Sequence, residues 1–272
     1  MATIVAGFGV PHNPGNPEAV LKGAKEIGAL YNKIAEEARR AELDALVVFS
    51  SDHLNTFFLD NLPLFSVGIS DQSAGPNDDT DMPRYSVPLH ELLAGQVRSH
   101  GLDESFDLAV SQEFELDHSF MVPLHFVTPG VTIPIVPIFI GGIVAPLPRA
   151  QRCLELGQMV ARAIDGWPED LRVGVLGSGS FSLDIGGNKG ARDTFNGFPD
   201  PEWMRIVMEC LDAADVHRLV YGAIAAQLDQ AGNVAGEILN WIAMLGATGG
   251  RKPAVLEPLK GRGEAWGAWR CE

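Results

Sequence analysis

The sequence predicts an α/β fold, a single domain with a central mixed, largely parallel sheet flanked by helices. Three observations predict it. Short apolar runs rich in β-branched residues recur at 2–10, 45–49, 133–140 and 171–176, each bounded by glycine, proline or small polar residues. Longer stretches with apolar residues at helical spacing, such as 18–41 and 149–164, lie between them, and that alternation builds βαβ units. No linker-like tract interrupts the 272 residues, so one catalytic domain spanning 1–272 is expected.

Composition narrows the function. Hydrophobic residues make up 46% and charged residues 20%, the profile of a globular chain with a sizeable core. Net charge is −15, from 35 acidic and 20 basic residues. No basic stripe exists to displace counterions from phosphates, so a nucleic-acid partner is not expected, and an anionic membrane surface is disfavoured likewise. Three widely spaced cysteines, Cys153, Cys210 and Cys271, form no Cys-x-x-Cys pair, which fits a reducing cytoplasm. The N-terminus has no basic region ahead of its apolar stretch, so no signal peptide is expected. The longest apolar segment, 131–148, is broken by Pro134, Pro137, Gly141, Gly142 and Pro146 and reads as strand plus loop rather than a membrane span.

In chain order, residues 2–10 form a strand that runs into Pro11-His12-Asn13-Pro14-Gly15, where two prolines and a glycine exclude regular structure. A helix over 18–41 follows, then the buried strand 45–49, which stops at Ser50-Ser51 and delivers Asp52-His53. Residues 57–69 hold a further strand, and the Asp-, Gly- and Pro-rich stretch 70–87 reads as a mobile excursion over the surface. A short helix at 90–100 and a short strand at 107–111 lead to a second Asp-His pair, Asp117-His118. The strand at 133–140, the helix at 149–164 and the strand at 171–176 come next. The last of these enters Gly177-Ser178-Gly179-Ser180-Phe181-Ser182. That turn lacks the lysine of a phosphate loop and fails the spacings of the dinucleotide and serine-hydrolase turns, so it reads as a tight backbone turn at a site rim. Residues 184–200 are loop, 201–230 are helical with a break near 212–216, and 236–245 is a helix. The tail carries Trp266 and Trp269.

His12, His53 and His118 thus fall at or beyond the ends of three predicted strands, where open α/β sheets bind ligands. His90, His100, His125 and His217 lie on helix-like stretches. Two imidazoles and one carboxylate on one face of an octahedron hold Fe(II) and leave positions open. Glu237, in an otherwise apolar run, is the candidate carboxylate, since an ionised group there is costly unless paired or bound to a metal. The spacing alone reads equally well as an acid at a helix N-terminus, favoured by the helix dipole. It does not choose between the two, just as a lone Asp52-His53 also reads as a capped turn.

Several stretches resemble the type II extradiol ring-cleavage dioxygenases, the family of the protocatechuate 4,5-dioxygenase β-subunit, and most of all its 2,3-dihydroxyphenylpropionate 1,2-dioxygenase branch. They are Pro11-His12, Ser51 to Phe58 (SDHLNTFF), Leu116 to Phe120 (LDHSF), Pro137 to Ile140, Ala145 to Pro148 (APLP), Leu176 to Gly179 and Glu237 to Trp241. They occur in order from end to end. The resemblance implies a non-haem Fe(II) enzyme that opens a catechol-type ring with O2. It assigns His12, His53 and Glu237 to the metal and His118 to acid/base work beside the substrate hydroxyls.

One departure matters. After the Gly-Ser-Gly turn the family pattern has Ser-His, a second outer histidine, whereas this chain has Ser182-Leu183. Leucine moves no proton, and general acid/base groups are typically worth a factor of about 10² to 10⁴. Asp184 or Ser182 would then substitute, or Leu183, with Phe181 and Ser182, would shape the pocket for a different substrate. The competing readings on the same scaffold are a zinc- or iron-dependent hydrolase or lyase and a subunit without activity. Expected partners are a small aromatic substrate and O2, with Arg84 and Arg192 as weak candidates for a substrate carboxylate. A homo-oligomer is expected, with or without a separate small subunit, and the large apolar fraction and the tail tryptophans fit association.

Overall fold

The computed structural model describes residues 1–78, 81–185 and 197–272. In chain order the elements are strand β1 (Thr3–Val10), helices α1 (Asn16–Leu21) and α2 (Lys25–Arg40), strands β2 (Ala45–Ser50), β3 (Phe65–Gly68), β4 (Gln72–Gly75) and β5 (Tyr85–Pro88), and helix α3 (Glu91–Asp103). Strand β6 (Ala109–Ser111), helix α4 (His118–Val127), strand β7 (Ile135–Ile140), helix α5 (Ala150–Asp165) and strand β8 (Arg172–Ser178) follow. Helices α6 (Pro201–Ala213), α7 (Val216–Gly222) and α8 (Ala225–Ala231) lead to a short 3-10 turn, Ala235–Glu237. Helix α9 (Ile238–Ala247) and strands β9 (Val255–Pro258) and β10 (Ala265–Arg270) complete the chain.

Eight strands form one sheet in the order β6-β3-β7-β2-β8-β1-β10-β9. The middle, β7-β2-β8-β1, is parallel, and antiparallel pairings of β3 with β7 and of β10 with β1 extend it on both sides. The parallel strands β2 and β8 are buried along almost their whole length, which is why they read as continuous apolar runs. One face is covered by α3, α5 and α9, the other by α2 and α4, so the core lies in two layers on either side of the sheet. This is the mixed, largely parallel α/β architecture the sequence predicts.

Helix α9 sits very close to α5. A Cβ on Gly157 would lie 1.8 Å from the Ala243 carbonyl oxygen, and one on Gly246 would lie 2.2 Å from that of Leu154. Only hydrogen at both positions permits the approach, and it fixes the helix whose first turn follows Glu237.

Four expectations are corrected in detail. The helix expected over 18–41 is two helices, separated at Gly23, whose φ of +98° suits glycine alone. The stretch 70–87 is not a simple excursion, because β4 and β5 form an antiparallel hairpin from Gln72↔Pro88 to Gly75↔Tyr85. Its strands are four residues long and interspersed with turn formers, too short for alternation to show. The tail is not a free surface: Trp266 and Trp269 lie on β10 and are 0% and 1% exposed, so they fill this chain's own core. The third helical region breaks twice, at 214–215 and 223–224, where one break was expected. Of the expected loop 184–200, residues 186–196 lie outside the described residues, and Arg192 with them. Among the described residues, no helix is long and apolar enough to cross a membrane. All three cysteines are free.

Candidate metal centre

Strand β8 lies between β2 and β1, and all three run the same way. Val10 is level with Ser178, and Phe49 with Gly177, so the three strands end together. The segments that leave this edge are Pro11-His12, Ser51-Asp52-His53 and Gly179-Ser180. His12 and His53 therefore straddle the end of β8, and their rings are 5.1 Å apart, edge to face.

Each imidazole is oriented through Nδ1. Ser178 Oγ donates its only proton to the Ser119 carbonyl at 2.7 Å, so at 2.8 Å it accepts from His12 Nδ1–H. His53 Nδ1 lies 3.2 Å from Asp117 Oδ2, an acceptor that also takes the His53 backbone N–H at 2.8 Å. Both Nε2 atoms then face the same carboxylate: Glu237 Oε1 lies 3.0 Å from that of His12 and 3.3 Å from that of His53. Its other oxygen accepts the Ser180 backbone N–H at 2.8 Å. Gly179, with φ of +142°, makes room for this, since a Cβ there would lie 2.4 Å from that of Glu237. Asn240, one turn along α9, donates to the Ser178 carbonyl at 2.7 Å and to Ser51 Oγ at 3.1 Å, tying the helix to both strand ends.

The charges follow from this wiring. Glu237 is only 1% exposed. Burial works against its ionisation, but the attraction and hydrogen bonds of His12 and His53 win and hold the carboxyl well below the usual range. Burial likewise opposes ionisation of Asp117, and its bonds and charge interactions with His53 again prevail. For His53, burial favours the neutral ring, yet the carboxylates on either side of it push its pKa up to about 10. His12, more enclosed, goes the other way: desolvation outweighs the pull of Glu237 and lowers its pKa. Two buried carboxylates thus concentrate negative charge around imidazole Nε2 atoms that face inward, a donor set that, once deprotonated, suits a divalent transition ion.

His118 joins them by another route. It was expected at a strand end, but β6 stops at Ser111, and His118 is the first residue of α4, whose N-cap is Asp117. Its ring lies 4.4 Å from that of His53 and 5.5 Å from that of His12, and a ligand nitrogen from each of the three histidines falls within 4.8 Å of the others. Asp78, in the β4–β5 connection, accepts both from the His118 backbone N–H, at 3.1 Å, and at its Nδ1. The roles of Asp78 and Ser178 were not read from the sequence, and for Asp78 no sequence signal existed: it is one acid among several in a polar stretch.

The turn after β8 is placed differently from expectation. Phe181 is fully buried against Trp241, with ring centroids 4.6 Å apart. Ser182 Oγ donates to the Ala231 carbonyl at 2.9 Å and accepts from the Asp200 N–H at 3.0 Å. Both side chains are held by the scaffold, where the sequence suggested substrate contact. Leu183 is 6% exposed, and its carbonyl accepts from Val234 N. Asp184 is buried, and its Oδ1 accepts the Asn233 N–H at 3.2 Å, so it braces the approach to Glu237. Arg84 is engaged with Glu115 and, at 2.8 Å, with the Pro76 carbonyl. Of the other histidines, His90 caps α3, His100 pairs with Glu104 and His125 meets Tyr85.

A doubly covered α/β sheet with converging imidazoles and a carboxylate at its strand ends is an architecture that could hold a metal ion. Residues 7–262 match the model of the catalytic LigB subunit of aromatic ring-opening dioxygenase, and the chain belongs to that family. It is 33% identical over 183 residues to 2,3-dihydroxyphenylpropionate/2,3-dihydroxicinnamic acid 1,2-dioxygenase of Photorhabdus laumondii, covering 67% of this chain and 54% of that one. A Klebsiella pneumoniae protein of the same name is 37% identical over 156 residues, 56% of this chain and 48% of that one. Gallate dioxygenase of Pseudomonas putida is 30% identical over 174 residues, 62% of this chain and 49% of that one. In each comparison the match spans about half the length of the curated relative. An uncharacterized Escherichia coli K12 protein has the same fold, with TM-score 0.60 over 97% of this chain and 98% of that one at 15% identity.

Proposed function

We propose that this chain is the catalytic unit of an Fe(II)-dependent extradiol dioxygenase, which opens a catechol-type ring beside its diol using O2. The observation that carries the reading is the meeting of His12, His53 and Glu237, three residues far apart in sequence, with both imidazole Nε2 atoms on one carboxylate oxygen. In this reading those three side chains hold the metal, and the donor set fits it: two neutral imidazoles and one carboxylate leave one side for substrate and O2. The bound ion would supply a template for both reactants and a path for electrons between them.

The protein's own residues do the rest. Ser178 and Asp117 keep the two ligand rings in the tautomer that presents Nε2. His118 stands beside them to take a proton from a substrate hydroxyl. Asp184, proposed as a substitute for the outer histidine, has one buried oxygen, Oδ2, with no hydrogen-bond partner among the described residues. Leu183 lines the loop where that histidine would stand and favours a reaction that needs one proton shuttle rather than two.

The test is metal content together with O2 uptake and product absorbance across substituted catechols, including 2,3-dihydroxyphenylpropionate and gallate. Expected are one ferrous ion per chain, a ring-opened product, and loss of both in Glu237→Gln. Metal retained in that variant, or bound zinc with hydrolysis and no O2 uptake, sinks the reading. Leu183→His should raise the rate if the site runs short of a proton shuttle; an unchanged rate would place that role elsewhere.

A further inference from the structure

Asp78 touches none of the three proposed metal ligands and lies in a stretch with no recognisable motif. It nevertheless spends both carboxylate oxygens on one residue. Oδ1 accepts the backbone N–H of His118 at 3.1 Å, and Oδ2 meets its Nδ1. Both side chains are largely buried, 13% and 12% exposed. The connection that carries Asp78 is fastened on either side. Asn77 N–H donates to the Leu116 carbonyl at 3.0 Å, and the Arg84 guanidinium holds the Pro76 carbonyl at 2.8 Å and the carboxylate of Glu115. Where the connection enters β5, Tyr85 grips the same helix through His125 at 2.6 Å. The hairpin therefore clamps α4 at its first and last turns, and the first clamp is a carboxylate–imidazole pair.

From this geometry we infer that Asp78 is a positioning residue for His118. It holds the proton on Nδ1, so that the lone pair of Nε2 faces the metal centre and His118 enters the reaction as a base. The step is a simple transfer: the substrate O–H bond breaks, its electron pair stays on the oxygen, and the proton joins Nε2. The imidazolium so formed is stabilised by the Asp78 carboxylate. Adjacent Asp117 cannot serve this purpose, because its oxygens are taken by Ser119 and His53. The inference rests on the role given to His118 above, and it adds which state of the ring the protein selects and by what means.

Asp78→Asn isolates the effect. One carboxamide oxygen must still satisfy the His118 backbone N–H, which leaves the NH2 group facing Nδ1. That forces the other tautomer, with the proton on Nε2. In long-range ¹H–¹⁵N spectra of the zinc-substituted protein, with His118 assigned through His118→Gln, the wild type should show Nδ1 protonated and Asp78→Asn should show Nε2 protonated. In the ferrous enzyme, kcat should fall by about 10²-fold or more with little change in KM or metal content. Tyr85→Phe, which loosens only the far clamp, should leave kcat within about twofold. A wild-type ring protonated on Nε2 overturns the assignment without any variant being needed. So does an Asp78→Asn enzyme with unchanged tautomer and kcat. Loss of metal in Asp78→Asn also overturns it, since His118 would then be a ligand. If no catechol is turned over, the dioxygenase reading fails, and the tautomer measurement still decides the role of Asp78.

Discussion

The chain contains the dipeptide Asp-His twice, and the two copies are wired differently. Asp52 turns back on its own segment, where its carboxylate accepts the backbone N–H groups of Asn55, Thr56 and Phe57 at 3.0 to 3.1 Å. It shapes the turn that presents His53 and does not touch the ring. Asp117 caps α4 through the Ser119 N–H with one oxygen and reaches across to His53 with the other. His118 in turn is served by Asp78, not by its neighbour. Each histidine is thus oriented by an acid from another part of the chain. Adjacency in sequence supplied the two residue types but not the partnership, because successive residues leaving a strand or entering a helix point in different directions.

The sharpest way to break this comparison is to remove each acid in turn. Asp117→Asn keeps an N-cap oxygen but leaves Nδ1 of His53 without an anionic partner. Metal affinity should drop by about 10- to 100-fold, the usual range for an outer partner of a ligand histidine, as read by competition with a chromophoric chelator. If affinity is unchanged, Asp117 is merely a helix cap.

A second test uses protons. With its pKa near 10, His53 is protonated at neutral pH in the metal-free protein, and a divalent ion must displace that proton. Apparent affinity should therefore rise by about tenfold per pH unit below 10 and level off above it. Calorimetry in buffers of different ionisation enthalpy should show a proton released. The same shift has a stability consequence for the metal-free protein. The folded-state value is raised, so this contribution is complete below about pH 6.5 and is lost as pH rises towards 10. Asp117→Asn should weaken the pH dependence; an identical slope would count against the pairing.

Asp52→Asn is expected to do less and to do it elsewhere. It loses part of a turn in which three N–H groups donate to one carboxylate, costing about 1–2 kcal/mol of stability, visible as a drop in Tm of a few degrees, with metal affinity within about threefold. A large affinity loss with normal Tm would erase the distinction between the two acids. Smallest of all, Tyr85→Phe removes one half-buried hydrogen bond and should cost about 1 kcal/mol or less in urea unfolding.

Much of the frame was legible in the chain. The runs 45–49 and 171–176 announced buried parallel strands because both their faces are covered by helices, and Ser50-Ser51 and Gly177-Ser178-Gly179 marked where those strands end. Glu237 stood out as a lone acid among apolar residues. What resisted reading was the hairpin 72–88, whose four-residue strands carry too few side chains to show alternation, and the pair β9 and β10, the tryptophans of β10 having suggested association. The loop side chains Phe181 and Ser182 looked like a pocket wall, yet one fills the core and the other satisfies buried backbone groups. Nothing in a linear pattern separates those uses of a phenylalanine or a serine.

By itself, the sequence determined the central strands and the main helices between them, the edge of the sheet at which chemistry would gather, and the residue types able to hold a metal. Periodicity and turn chemistry are local, and they need only neighbours within a few positions. The tertiary structure alone decided that His12 and His53 straddle β8, that Asp117 serves His53, and that Asp78 reaches His118. Those partnerships span 40 to 166 residues of chain, and their geometry depends on strand order and helix approach, which no local pattern encodes.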